Sequence, residues 1–372
     1  MSKKILIIFL GNIAHDSRSL KLVKSVKNWG FQVEVICSVE PGEIAIKNPE
    51  IKYVKLKKWS KAIFKIIEFY LKSFRLAINS HPDWVIASDL FALPIAWLVS
   101  FKKGTKLIYD SREFYSSLAS TSKHKFKQNF IYIFEKFFAS KSFIILTVNQ
   151  SIKNFLSRKF KSKPIIVVRN LPTIADIGNR EFRVNINLPD ITLIYLGHFH
   201  PGRGFQIYFD LLKKLQDEGV KSKLLFIGKG ELKEKLEKEI INRGLSESVI
   251  VTGPYSPNQS IKLPATTKPI GLCLIEPLSL SYIYSLPNKI FEYMKNSIPF
   301  VASDFPEIRE IVEKYQVGVL ANPQNFEEIY SSVKKLIDDT FLYLKLRENC
   351  RKALLELNWE NEVKKLYEIL RA

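Results

Sequence analysis

Ile5-Leu6-Ile7-Ile8-Phe9, the helical stretch 19–29 and Val33-Glu34-Val35-Ile36 decide the fold. The first and third runs are apolar and rich in β-branched residues, and 19–29 repeats apolar side chains at helical intervals. Strand, helix, strand is a βαβ unit, and the alternation continues outward from it. Strands read at 84–87, 106–109, 143–147 and 165–168, separated by helical segments. That pattern is a doubly wound parallel sheet. The polar, proline-containing stretch 171–190 interrupts it, and the alternation restarts with strands at 192–196 and 223–227 around a helix at 205–218. Later strands read at 249–252, 269–274, 299–302 and 318–320, and helices over 326–335 and 340–371 close the chain. The expected class is α/β. Its expected domains are a Rossmann-like 1–172, a linker over 173–190, a Rossmann-like 191–355, and a C-terminal helix over 356–372 packing back toward the N-terminal domain. Ligands of open parallel sheets bind beyond the carboxyl ends of the strands. Two such domains facing a central cleft are therefore expected, with the site in that cleft.

The length of 372 residues suits two domains. With 46% hydrophobic and 25% charged residues, the chain has too much apolar material for a disordered one. Cys37, Cys273 and Cys350 are far apart and odd in number, which excludes a disulfide scaffold and points to buried thiols in a reducing compartment. No apolar run approaches the roughly 20 residues of a membrane span, so neither a transmembrane helix nor a signal peptide is expected, and the cytoplasm is the expected place.

The net charge of +20 is unevenly placed. Residues 1–185 hold 32 Lys and Arg against 13 Asp and Glu, whereas the remainder is nearly balanced. An anionic partner of the N-terminal half is implied. The excess peaks over 52–75, where eight basic residues and one acid interleave with Trp59, Phe64, Phe69, Tyr70 and Phe74; 123–141 and 153–163 repeat the theme. Helices of this kind can lie on an anionic membrane, although the same pattern also fits apolar residues facing a core beneath solvated lysines. Nucleic-acid binding fits less well, because the aromatics have helical spacing rather than that of a stacking platform.

Two segments carry candidate chemistry. In Gly197-His198-Phe199-His200-Pro201-Gly202-Arg203-Gly204, Gly197, Gly202 and Gly204 allow backbone to approach a diphosphate, and Arg203 can fork onto its oxygens. An ordinary βα turn with a surface arginine has the same spacing. In Leu286-Pro287-Asn288-Lys289-Ile290-Phe291-Glu292-Tyr293-Met294, Pro287 suits the first turn of a helix and Lys289 adds a cation. Glu292, one turn beyond Asn288, can accept from two sugar hydroxyls, or can be a solvated helix glutamate. Asp16, Asp89, Asp110 and Glu113 each follow a strand of the N-terminal domain, where they suit acceptor hydroxyls or turn and capping roles. The five histidines show no ligand spacing, so no metal is expected.

These motifs resemble, in order and over nearly the whole length, the GT-B glycosyltransferases of family 4, retaining enzymes that use nucleotide sugars. The matching segments are Asp16-Ser17-Arg18, Ser88-Asp89-Leu90-Phe91-Ala92-Leu93-Pro94, Tyr109-Asp110-Ser111-Arg112-Glu113, Pro201-Gly202-Arg203-Gly204, and Leu286 through Met294 with the run 299–303. The resemblance implies that Arg203 binds the donor diphosphate, that the Leu286-Pro287-Asn288-Lys289 turn meets its phosphates, and that Glu292 holds the ribose. It implies Arg203, Lys289 and Arg112 as catalytic cations and Asp16, Asp89, Asp110 and Glu113 as acceptor residues. A nucleoside diphosphate sugar is then a substrate rather than a cofactor, and no cofactor is implied. The acceptor is a saccharide or lipid-linked saccharide, reached from the inner membrane face by a peripheral enzyme. Two positions depart from the family: Tyr284 stands where a glutamate often contacts the donor sugar, and Arg112 stands where a histidine is usual. The rival readings are a nucleotide-sugar epimerase of the same fold and a basic nucleic-acid-binding protein.

Overall fold

The computed structural model describes residues 2–117, 124–174, 181–184, 188–254 and 259–372, and the chain divides into two units, Met1–Asn170 with Trp359–Ala372, and Leu171–Asn358. Lys123 of the basic stretches lies outside the described residues, as do 175–180 and 185–187 of the expected linker.

Unit 1 is built on β1 (Lys4–Phe9), α1 (Ser17–Asn28), β2 (Gln32–Val39), β3 (Ile51–Lys55), α2 (Ala62–Ala77), β4 (Trp84–Ser88), α3 (Leu93–Lys103), β5 (Lys106–Ser111), α4 (Lys125–Ala139), β6 (Ile144–Thr147), α5 (Gln150–Lys159) and β7 (Ile165–Val167). The strands form one parallel sheet in the order β3-β2-β1-β4-β5-β6-β7. Strand order reverses between β1 and β4, so the loops after these two strands diverge and leave space at their carboxyl ends. The apolar runs that predicted β1, β2 and β4 are buried for the reason that made them legible: helices cover both faces of such a sheet. The basic stretch 52–75 is not one helix. Its first residues form edge strand β3, paired with β2, and helix begins only at Ala62.

Unit 2 contains β8 (Glu181–Arg183), β9 (Ile191–His198), α6 (Phe205–Asp217), β10 (Ser222–Lys229), α7 (Lys233–Asn242), β11 (Val249–Thr252), β12 (Ser260–Lys262), β13 (Lys268–Cys273), α8 (Leu280–Ile283), α9 (Asn288–Lys295), β14 (Phe300–Ser303), α10 (Pro306–Tyr315), β15 (Gly318–Ala321), α11 (Phe326–Asp338) and α12 (Thr340–Glu356). Its main sheet runs β11-β10-β9-β13-β14-β15, with the reversal between β9 and β13. The described part of the expected linker belongs to this unit: β8 pairs with β12, and Val184 and Leu188 are buried in its core, as is Leu171, which was expected in the N-terminal domain.

The helical run 340–371 is two helices. At the end of α12 the Asn358 side chain donates to the carbonyls of Leu354 and Leu355, taking up acceptors that a continuing helix would use. The chain then returns to unit 1 as α13 (Trp359–Arg371), which buries Trp359, Val363, Leu366 and Leu370 in the core with α1 and β1. No helix among the described residues is long and apolar enough to cross a membrane.

Candidate active site

In unit 2 the loops at the β9/β13 reversal interlock. Gly202 and Gly204 both adopt φ of +75°, a left-handed conformation that L side chains avoid. A Cβ at Gly204 would lie 2.9 Å from the Leu274 carbonyl oxygen, and one at Gly202 would lie 2.6 Å from Leu278. The glycines therefore let the loop after β9 close onto the loop after β13. Glu276 fastens the two: its N–H donates to the Gly202 carbonyl at 3.0 Å, and its Oε1 accepts from the Gly204 N–H at 3.4 Å, at the start of α6. Sequence reading missed Glu276; its place just past a central strand at the point of reversal is the signal that could have found it.

Lys289 and Arg203 share this place, and each rests on an aromatic ring rather than a carboxylate. Lys289 Nζ stands 3.5 Å from the centroid of Tyr195, and the guanidinium carbon of Arg203 stands 5.0 Å from that of Tyr282. Gly197 lies beside Lys289, since a Cβ there would be 3.9 Å from Lys289 Cε. Among the described residues no ion pair engages either cation. Burial, with Arg203 adding its charge, pushes the Lys289 amine down to about 7, against the opposing pull of Cys273. His198 at the end of β9 is also lowered, by burial first and then by His200, Lys229 and Arg203. Positive neighbours thus act on both groups, and the Glu276 carboxylate beside the loop is engaged by the Gly204 N–H.

Helix α9 begins after Pro287, whose extended backbone turns the chain into the helix with no side-chain cap. The first-turn N–H groups of Asn288 and Lys289 thus remain as donors, as in anion-binding helix termini. Glu292 is neither a free surface residue nor buried: its Oε2 lies 2.8 Å from Nζ of Lys295, whose side chain is only 1% exposed. Lys295, which sequence reading did not single out, holds that carboxylate in place. Tyr284 caps the short helix α8, its N–H donating to Leu280.

Unit 1 brings Asp16, Asp110 and Arg112 together at the β1/β4 reversal, but locks them to one another. Asp16 caps α1, accepting from the N–H groups of Arg18 and Ser19. Arg18 grips Asp110 through two bonds, Nε to Oδ2 at 2.9 Å and Nη2 to Oδ1 at 2.7 Å, and also reaches the Val168 carbonyl. Arg112 donates to Asp110, Asp16 and the Ser19 hydroxyl. Burial alone would raise the Asp110 carboxyl; the two guanidiniums outweigh it and hold it at about 2. Asp110, expected as an acceptor residue, is already occupied by these contacts. At 1% exposure, with both oxygens engaged by arginines, it is a brace. Each nitrogen of Arg112 is likewise committed within this brace, so it positions Asp16 and Asp110. Arg18, the other half of the brace, closes the motif Asp16-Ser17-Arg18.

Asp89 touches the brace through its backbone, its N–H donating to the Asp110 carbonyl at 3.2 Å, but its carboxylate makes no ion pair among the described residues. It has φ of +86°, and its Oδ1 accepts from the N–H groups of Phe91 and Ala92 ahead of α3. Burial pushes its carboxyl up to about 7, with Asp16 reinforcing and Arg112 and the two N–H groups opposing. Glu113 is exposed on the loop after β5.

Comparison with known proteins supplies the class. Residues 176–354 match the family described as glycosyl transferases group 1. The chain is 24% identical to a chitobiosyldiphosphodolichol beta-mannosyltransferase of Candida albicans, across 95% of this chain and 84% of that one. Among solved structures it resembles the sucrose-phosphate synthase of Thermosynechococcus elongatus, with a TM-score of 0.78 at 12% identity, covering 99% and 98% of the two chains. It also resembles Anabaena HepE in complex with UDP, with a TM-score of 0.71 at 15% identity and 99% coverage of each. With its two parallel α/β units, and the group 1 match lying within the second, the chain is a glycosyltransferase of the GT-B fold.

Proposed function

We propose that the protein transfers a hexosyl or related sugar from a nucleoside diphosphate donor held by unit 2 to a saccharide, carried on a lipid, that unit 1 binds at the inner membrane face. The observation that carries this reading is the pair Arg203 and Lys289, two cations without acidic partners among the described residues, placed beside the glycine loop and the N-terminal turn of α9. A diphosphate leaving group supplies the missing charge, and these cations stabilise that charge as the glycosidic bond breaks, without a metal ion. The first-turn donors of α9 meet the phosphates, and Glu292, steadied by Lys295, accepts from ribose hydroxyls. The relative's name specifies a dolichol-linked saccharide, and the HepE structure holds UDP; both support the substrate classes proposed.

The acceptor enters beside Asp89 and Glu113, which follow β4 and β5 at the carboxyl ends of the unit 1 strands. Retention is the proposed stereochemistry, with the donor phosphate taking the acceptor proton. A specific observation favours the second reading, inversion: Asp89, with its carboxyl near 7, has the proton affinity of a general base. The anomeric configuration of the product, read by NMR against that of the donor, decides between them.

Membrane attachment is proposed through unit 1. On α2 the apolar side chains Ile63, Phe64, Ile67 and Leu71 are exposed, next to the lysines of 57–65. A thermal-shift series with UDP, GDP, ADP and their sugars tests the donor reading, since a ligand of the native state raises stability with its concentration. Stabilisation by at least one nucleoside diphosphate, lost in Arg203→Ala and Lys289→Met, is expected. Indifference to all of them overturns it.

A further inference from the structure

Away from the brace, unit 1 has a cavity of about 400 Å³ between α4, the end of α5 and the turn leading to β7. Lys136 from α4, Arg158 and Lys159 from α5, and Lys161 and Lys163 from the turn line it, with Tyr132 alongside. Two of these cations are accounted for. Lys159 is buried, 2.7 Å from Glu135 Oε2 and 4.0 Å above the Tyr132 ring, while Glu135 also accepts from the Tyr109 hydroxyl. Lys163 donates to the Ser142 carbonyl. Lys136, Arg158 and Lys161 have no carboxylate at ion-pair distance among the described residues.

Basic residues in the last turn of a helix offset the partial charge there, and two helices end at this cavity. That explains about one cation for each helix. It does not explain five around one concavity whose nearest carboxylate is already spent on Lys159. A concave cluster of this kind focuses a positive potential into the cavity and suits an anion with several acceptor oxygens.

The neighbouring face of α4 narrows the choice of anion. Phe126, Phe130, Ile133 and Phe137 recur at helical spacing and are 86%, 62%, 58% and 54% exposed, a row about a third of a turn from Tyr132 and Lys136. Large apolar side chains aligned along one exposed face, beside a cationic cavity, match the two layers of an anionic membrane: acyl chains and phosphate.

We infer that this cavity is a specific site for the phosphate of an anionic phospholipid headgroup, with the α4 row inserted beside it. The inference deepens the membrane attachment proposed above and rests on it, but it assigns a discrete site on α4 and α5 rather than diffuse attraction by the lysines near α2.

The test uses the full chain and vesicles of phosphatidylcholine with or without phosphatidylglycerol, at physiological salt. The variant combines Lys136→Gln, Arg158→Gln and Lys161→Gln; Lys159 is kept because Glu135 would lose its partner. Loss of three interfacial charges is expected to weaken partition onto the anionic vesicles about 100-fold, with nucleotide binding and tryptophan-monitored unfolding unchanged. Phe126→Ser with Phe130→Ser should also weaken it. If the triple variant partitions like the parent while Gln at Lys57, Lys58, Lys61 and Lys65 abolishes partition, the cavity is overturned and the membrane reading stands. A parent chain that ignores anionic vesicles overturns both. Stabilisation of the parent but not the triple variant by glycerol 3-phosphate, without vesicle binding, assigns the cavity to a soluble phosphate and overturns the lipid.

Discussion

Each unit collects basic side chains at the carboxyl ends of its central strands, but the two collections are neutralised differently. In unit 1, Arg18 and Arg112 spend their donors on Asp110, Asp16 and Ser19, inside the protein. In unit 2, Arg203 and Lys289 lie on the rings of Tyr282 and Tyr195 and meet no carboxylate among the described residues. A π-face holds a cation in place but leaves its charge available, whereas a bidentate carboxylate consumes it. The same residue types thus make a brace in one unit and a receptor for anions in the other.

The largest effect should come from breaking the brace. Arg18→Ala leaves the buried Asp110 with one guanidinium, and removing one partner of a buried pair costs about 3–5 kcal/mol. All five tryptophans lie in unit 1, so fluorescence-monitored denaturation reports on that unit. The sign with pH follows from Asp110, whose folded carboxyl is held below its unfolded range. Its stabilisation is present above about pH 4 and fades as pH falls toward 2. The gap between variant and parent should narrow over that window; an unchanged midpoint at pH 7 would show that the brace carries no stability.

Breaking the receptor should instead spare the fold. Lys289→Met or Arg203→Ala should weaken nucleoside diphosphate binding by tens-fold, as loss of a hydrogen bond to a charged group is worth about 1.5–3 kcal/mol, with thermal unfolding followed by far-ultraviolet circular dichroism, which reports on both units, unchanged. Because the free amine of Lys289 sits near 7 and an adjacent diphosphate favours its charged form, binding at pH 8 should take up a proton. Calorimetry in buffers of different ionisation enthalpy measures that proton, and Lys289→Met should abolish it.

The smallest effect sharpens the contrast within unit 1. The carboxyl of Asp89 is raised on folding, so the folded state pays for ionising it as pH rises through about 4 to 7. Asp89→Asn keeps an oxygen for the Phe91 and Ala92 N–H groups and tolerates a positive φ. It should be neutral near pH 4 and increasingly stabilising as pH rises through 7, because the variant carries no charge to desolvate. If inversion is the mechanism, the same variant should lose most of its turnover; with retention it should keep most of it.

The sequence by itself determined both parallel sheets, because a strand buried on two faces must be a continuous apolar run and its covering helices must repeat at helical intervals. Both signals are local. It also determined the place of Arg203, Lys289 and Glu292, since glycine, proline and chain reversals fall at fixed offsets from those strands. Tertiary structure alone decided how the charges are used. Arg18 and Asp110 are 92 residues apart in sequence and Gly204 and Glu276 are 72 apart, so no local window contains either pairing. Edge strand β3 was hidden because its two exposed lysines, Lys52 and Lys55, are three residues apart, a helical spacing, and the break after α12 was hidden because Asn358 sits in helical periodicity until its side chain finds the carbonyls behind it. Periodicity records which face of an element is buried; whether a buried charge is matched or left open depends on which distant element the fold lays against it.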